Sequence, residues 1–347
     1  MLPMPRIRTL PAPSTRGPGQ QNHPTAQLGL GLLEVLVALF IGVFLLTGAL
    51  TIYSNGRGTI EVTARINRMQ ESGRYALEMM EPDVRGAGYW GTLTSTDFVA
   101  GRAGPGDPVT IDVINDCENN WAINLDRPVE GSDNANPFPA SCLSGIDTYA
   151  AGTDTLVLRR AGGSPVATVD LQPATLYLRA DESRAELFIG TTEPPGFSPT
   201  AQNYPLVTHA YYISPTSDLD PNVPSLRRLV LDNNGVDPFV TDEELVSGAE
   251  DLQVQWGLDT DADGSVNSYV DPNPLVDLAA VLSVRLWLRM RTTLEEDGFV
   301  DNASYVYADV DYTPEVTLDQ QDERFRRLLV SKTVSLRNRV VELNDGL

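Results

Sequence analysis

The sequence predicts an α+β fold: one long N-terminal helix, then a mainly antiparallel sheet carrying loop insertions. Three observations lead there. A charge-free apolar run extends from Val35 to Tyr53. An amphipathic stripe follows it, from Ile66 to Val84. Beyond residue 153, short segments rich in β-branched and aromatic residues alternate with Pro and Gly clusters, with no helix of crossover length between them.

The apolar run sets the organisation of the chain. Its nineteen residues make about 28 Å of helix, close to the hydrocarbon thickness of a bilayer. It is headed by Gly29-Leu30-Gly31-Leu32-Leu33-Glu34. A carboxylate at the edge of such a span costs on the order of a few kcal/mol unless it finds a partner. One reading is an ordinary signal anchor, with Glu34 wetted at the interface. The other is a class III signal, cut after Gly29 on the cytoplasmic side, which leaves Leu30 as the new first residue and Glu34 as the fifth. Residues 1–29 carry Arg6, Arg8 and Arg16 and no acidic residue, as a cytoplasmic leader does. An ordinary secretory signal would place its cleavage site after the apolar core. Here Ala26-Gln27-Leu28-Gly29 precedes it.

This arrangement resembles the type IV prepilin family, whose motif is a glycine, a cut, four mostly apolar residues and a glutamate heading a hydrophobic helix. The resemblance implies that Glu34 neutralises the freed amine of a neighbouring subunit during assembly. It also implies N-methylation of that amine, although position 30 is Leu where the family usually has Phe or Met. Two further blocks narrow the likeness. Gln70–Leu77, continuing to Asp83–Tyr89, and the closing run Arg324–Arg339 resemble PilW-type minor pilins.

From the resemblance follows a pilin-like layout: a leader over 1–29, a transmembrane and filament-core helix over 30–53, its amphipathic continuation over 54–88, and a periplasmic β-rich head over 89–347. The expected function is that of a structural subunit that primes and caps a type IV pilus. Such a chain is made as a single-pass inner-membrane protein, meets the prepilin peptidase, and then joins other minor pilins and the major pilin at the pilus tip, where a tip adhesin is a further partner. A J-type pseudopilin of type II secretion shares the signal and the general fold. A Ca²⁺-dependent adhesin module on a pilin anchor is a reading from another class.

Past the membrane span, Ser54-Asn55-Gly56-Arg57-Gly58 is a soft spot, since each glycine costs a helix roughly 1 kcal/mol. The stripe Ile66, Met69, Ala76, Leu77, Met80 and Val84 recurs at steps of three and four, and should lie against a sheet. Pro82, Gly86 and Gly88 are expected to end it. Strands are expected at 155–158, 174–179, 185–189, 207–214, 226–231, 252–256, 281–289 and 332–337. Residues 91–150 read as a loop-rich insertion with little core of its own. It holds the only cysteines, Cys117 and Cys142. In a translocated head they are expected as a disulfide, closing a loop of about 25 residues for roughly 3–4 kcal/mol.

The best candidate for ligand chemistry is Asp259-Thr260-Asp261-Ala262-Asp263-Gly264-Ser265-Val266-Asn267. Oxygens at alternate positions with glycine sixth are what an EF-hand-type loop uses to wrap Ca²⁺. Asp259, Asp261 and Asp263 would offer side chains, Ser265 its carbonyl and Asn267 a further oxygen. The twelfth position is Val270 where a bidentate glutamate belongs, and Asp271 comes one place late. A solvated acidic turn is the alternative. Three carboxylates within five residues repel one another without a cation, which favours Ca²⁺.

Enzyme readings find little footing. Histidine occurs only at 23 and 209, and His209 falls in an expected strand. There is no nucleophile elbow, no His-Glu-x-x-His, no phosphate-binding glycine loop and no zinc spacing. Without the three leader arginines, 22 basic residues face 47 acidic ones, a net charge of −25 over 30–347. So acidic a surface disfavours nucleic acid as a partner. The arginine-rich run from 324 to 339 is expected to form salt bridges on a strand face with Glu323 and Glu342.

Overall fold

The computed structural model describes residues 31–103, 111–116, 120–138, 149–273, 275–314 and 322–338. Gly29, Leu30, Cys117, Cys142, Arg339 and Glu342 lie outside them. The chain divides into two compact units, Met1–Ile60 and Glu61–Leu347.

One helix, α1, runs from Leu32 to Gly86. The Gly31 carbonyl opens it by accepting the N–H groups of Glu34 and Val35. The carboxylate of Glu34 in the first turn suits the positive end of the helix dipole. Within the apolar run, the Thr47 and Thr51 hydroxyls donate to the carbonyls of Val43 and Thr47 at 2.8 and 2.9 Å, so neither is left unbonded in apolar surroundings. The helix is unbroken through residues 54–58.

It also passes through Pro82, where the sequence suggested an end, and stops at Gly86. Proline removes one backbone hydrogen bond and costs a helix interior roughly 3 kcal/mol. Met80, Asp83 and Val84 around it are buried, and that packing outweighs the loss. Pro82 itself sits on the exposed side.

In the second unit, Met69, Gly73, Ala76, Leu77, Met80 and Val84 form the buried stripe of α1. The strands are β1 (Val99–Ala100), β2 (Val129–Ser132), β3 (Thr155–Ala161), β4 (Leu176–Ala180), β5 (Ala185–Ile189), β6 (Gln202–Ser214), β7 (Ser225–Asn233) and β8 (Pro238–Ser247). They continue with β9 (Ala249–Leu258), β10 (Ser268–Val270), β11 (Val281–Arg291), β12 (Tyr305–Tyr307), β13 (Val310–Tyr312) and β14 (Arg327–Ser335). Strands β1 to β8 make one sheet in which β6 is the hub. Its first residues pair with β4, and its second half lies between β3 and β7. A four-stranded sheet runs β10-β9-β11-β14, and β12 and β13 form a separate hairpin. All of these pairings are antiparallel apart from β1 with β5.

Both larger sheets pack on α1. Leu156, Leu158, Tyr211, Ile213 and Leu226 from one, and Leu252, Val254, Val284, Leu286 and Leu288 from the other, close around the helix stripe. Alternate residues of the larger sheet (Val157, Ala210, Tyr212, Leu229) face a second core. Trp90 and, from the loop-rich stretch, Leu93, Trp121, Ile123, Leu125 and Phe138 fill that core. The insertion is thus anchored by the back of the sheet. Fully buried Arg159 on β3 fastens it further, donating to the carbonyls of Trp121 at 2.6 Å and Arg127 at 2.5 Å and pairing with Glu130 at 3.0 Å.

The sequence pattern does not predict β8, because Asp242, Glu243 and Glu244 hide its apolar alternation. They are matched across the hairpin: Arg227 meets Asp242 at 3.1 Å, and Arg228 pairs with Glu243. The last strand starts at Arg327 rather than 332. Among the described residues, the arginines there do not pair with Glu323. Arg326 takes Glu296 at 2.6 Å, and buried Arg327 takes Glu250 at 2.8 Å, Asp301 at 3.5 Å and Asp322. The chain's one lysine, Lys332, bridges β14 to Glu81 of α1.

Gly73 lets helix and sheet approach closely. A Cβ there would lie 3.1 Å from Met290 and 3.2 Å from Val330. Gly73→Leu is expected to lower stability by about 2 kcal/mol through overpacking, measured by denaturant unfolding of the full chain in detergent. Gly73→Ala is expected near neutral, because the gain in helix propensity offsets the tight contact.

Candidate functional site: the apolar helix, its anchor and the acidic hairpin

The first candidate is the surface of α1 ahead of residue 54. Leu32, Phe40, Phe44 and Ile52 are 84, 73, 72 and 76% exposed, and no residue from Gly31 to Ser54 is buried. This helix is long and apolar enough to cross a membrane. Glu34 is its only charge before Arg57, and it too is exposed. So wide an apolar surface in water would be an aggregation liability. It needs lipid or other helices around it.

Sequence reasoning missed an anchor at the other end of α1. Asp83 is buried in the last turns. Its Oδ2 accepts from the Tyr211 hydroxyl at 2.6 Å and contacts His209 Nδ1 at 2.5 Å, and its Oδ1 accepts from Arg160 at 3.0 Å. A carboxylate near a helix C-terminus opposes the dipole, so only such partners make it tolerable there. The one clue in the sequence was that an acidic residue falls beside the apolar stripe. His209, which falls in an expected strand, is half of this pair.

Burial raises the Asp83 pKa. The hydrogen bond and charge of His209, with the bonds from Tyr211 and Arg160, outweigh it and bring the group down to about 2.

The second candidate is the loop joining β9 to β10. The strands pair from Ser268 with Leu258 to Val270 with Trp256, so the loop caps a β-hairpin rather than linking two helices. Asp259, Asp261 and Asp263 converge, each offering an oxygen within 4.8 Å of the others. Asp259 is buried and the other two are exposed. Asp259 accepts the N–H groups of Asp263 at 3.2 Å and Gly264 at 2.8 Å. Gly264 has φ +84° and Ala262 φ +58°, the left-handed backbone that turns these amides inward. Burial raises the Asp259 pKa, but the amides of Gly264, Asp263 and Ala262 prevail and hold it below the usual range.

One expected donor, Asn267, behaves differently, and the late-placed Asp271 does not substitute for the missing glutamate. The Asn267 Oδ1 is taken up by the Thr260 N–H at 2.7 Å. Asp271, one place past the closing position, accepts from Gln255 at 3.1 Å and does not close the loop. The Asp263 side chain also accepts the Ser265 N–H at 2.7 Å. The three aspartates could hold a divalent cation on one side while water fills the rest of its shell.

Residues 210–338 match the PilW family, type IV pilus-assembly protein W. The match begins inside β6 and ends beyond β14, so it contains the block Arg324–Asn338 and excludes the block at 70–89. Among solved structures, a type IV-like pilin from Thermus thermophilus aligns at 12% identity over 56% of this chain and 81% of its own, with a TM-score of 0.28. No protein of curated function matches the chain. The PilW match supports a type IV pilus-related pilin.

The Asp83 anchor yields a pH signature. Its folded pKa of about 2 lies below the ordinary 3.8, so its stabilisation is complete above pH ~4 and lost as pH falls toward ~2, about 2 kcal/mol in all. Comparing acid unfolding of wild type with Asp83→Asn is expected to show that the variant is weaker at neutral pH and that the difference shrinks below pH ~3.

Proposed function

On the premise of the PilW-type region over 210–338, we propose that the chain is a minor pilin, a non-enzymatic subunit that primes and caps a type IV pilus. One observation carries this reading: an exposed, uncharged helix from Val35 to Tyr53 headed by a single carboxylate. In lipid that acid must meet a cation or a proton. A neighbouring subunit cut after Gly29 offers one, the amine of Leu30. The apolar surface of α1 then packs among other helices in the filament core, while the head selects its neighbours through its own surface.

The chain is made in the inner membrane with its head in the periplasm, is cut by the prepilin peptidase, and joins other minor pilins and the major pilin at the tip, beside an adhesin. Cys117 and Cys142 close a disulfide in that oxidising compartment. Mass spectrometry of the mature chain is expected to show a terminus at Leu30. An intact leader, or a cut beyond Tyr53, would sink the proposal. Glu34→Ala is expected to leave the protein in the membrane but abolish its entry into pili, scored by counting fibres and probing sheared fractions. Normal fibres containing the variant would contradict it.

Within this function, Asp259, Asp261 and Asp263 are proposed to bind Ca²⁺ with the Ser265 carbonyl and Asn267 beside them, fixing the β9–β10 hairpin. The missing closing glutamate places affinity nearer that of extracellular modules than of cytosolic buffers. Millimolar Ca²⁺ is expected to raise the melting temperature of wild type by several degrees, following ligand linkage. Asp261→Ala is expected to remove the rise, and an equal rise in the variant would argue for a plain acidic turn.

A further inference from the structure

The two larger sheets meet at the residue before β3. Asp154 is fully buried. Its N–H donates to the Leu252 carbonyl at 2.8 Å, and its Oδ2 accepts the Val254 N–H at 2.8 Å. One residue thus lies along β9 as a neighbouring strand would. Its Oδ1 accepts the N–H of Asn134, just past β2, also at 2.8 Å. Asp154 therefore ties together β9, the start of β3 and the turn after β2.

The surroundings are acidic. Asp133 beyond β2 and Asp251 on β9 act on Asp154 by charge, and Asp309 and Asp271 act on Asp133. The Asn134 amide donates to Asp133 at 2.9 Å and to Asp309 at 2.7 Å. Tyr307 donates its hydroxyl to Asp251, whose other oxygen accepts from Gln253 at 3.1 Å. Tyr149, just ahead of β3, donates to the Thr153 carbonyl. Arg289 reaches Asp251 at 3.8 Å. Among the described residues, no cationic side chain pairs with Asp154 itself.

We propose that this seam is a proton-operated joint: Asp154 holds a proton while the two sheets are docked and releases it to solvent when they part. A buried carboxylate among like charges favours its neutral form, while its two amide donors favour the anion. Burial is the largest influence and pushes the group up to about 7. The protonated oxygen keeps a lone pair, so both amide bonds can persist.

The linkage runs opposite to that of Asp83. The docked value lies above the ordinary 3.8, so docking takes up a proton between pH ~4 and ~7. The docked state weakens about tenfold per pH unit across that window and levels off above it. Acid tightens the joint and neutral pH loosens it.

The test uses the full chain in detergent micelles. Backbone amide shifts of Asn134 and Val254 are expected to titrate together with a midpoint near 7. The unfolding equilibrium of wild type, measured against Asp154→Asn, is expected to change about tenfold per unit between pH 4 and 7. Amides that titrate below pH 5 or not at all would overturn the proposal. So would parallel pH profiles of the two proteins, or a midpoint that moves with added Ca²⁺ and returns with chelator, which would mark a cation site instead. If Asp154→Asn does not fold, the wild-type amide titration decides alone.

Discussion

The second half of α1 is the shared floor of the head. Leu156 and Ile213 of the larger sheet and Leu252 and Leu286 of the smaller one bury against the same helical stripe. Among the described residues, the largest other buried apolar cluster lies on the back of the larger sheet, where the insertion packs. At Gly73 a Cβ would already lie 3.1 Å from Met290 and 3.2 Å from Val330, so anything larger than a methyl would overpack the seam between helix and sheet. The charged anchor at Asp83 and the salt bridge from Lys332 to Glu81 fix the register of that helix on its sheets.

Burial in this head falls on groups of both polarities. Arg159 and Arg327 are fully buried side chains with several acceptors each. Such groups would cost several kcal/mol without partners, so their value lies in specifying which loop lies where. Arg159 ties down the stretch 121–130, and Arg327 gathers Glu250, Asp301 and Asp322 beneath the β12–β13 hairpin. Tyr305, Tyr307 and Tyr312 of that hairpin donate to Asp301, Asp251 and Asp322 in turn. The hairpin is held by hydrogen bonds to carboxylates more than by an apolar face of its own.

Much of this was legible in the residues. The apolar run and the stripe at three- and four-residue steps gave the helix, and the alternation in β11 gave the central strand of the smaller sheet. Charge concealed β8: its acids satisfy arginines on the neighbouring strand, a pairing visible only once the Asn234-Gly235 turn is recognised as a hairpin signal. Strands of three residues such as β10 and β12 leave no periodic trace. The convergence of Asp259, Asp261 and Asp263 followed from local spacing, because the loop folds on itself. Asp83 with His209, and Asp154 with Val254, join residues about one hundred positions or more apart. No local pattern encodes such pairs.

The scarcity of lysine has a chemical consequence. Lys332 is the chain's sole side-chain amine, held at the seam of α1 and β14. Amine-directed crosslinkers or fluorophores therefore address one edge of the head and the polypeptide's own terminus, with nothing between. A label placed on Lys332 becomes a ruler with a single mark, reading whatever lies alongside that edge in the assembled state.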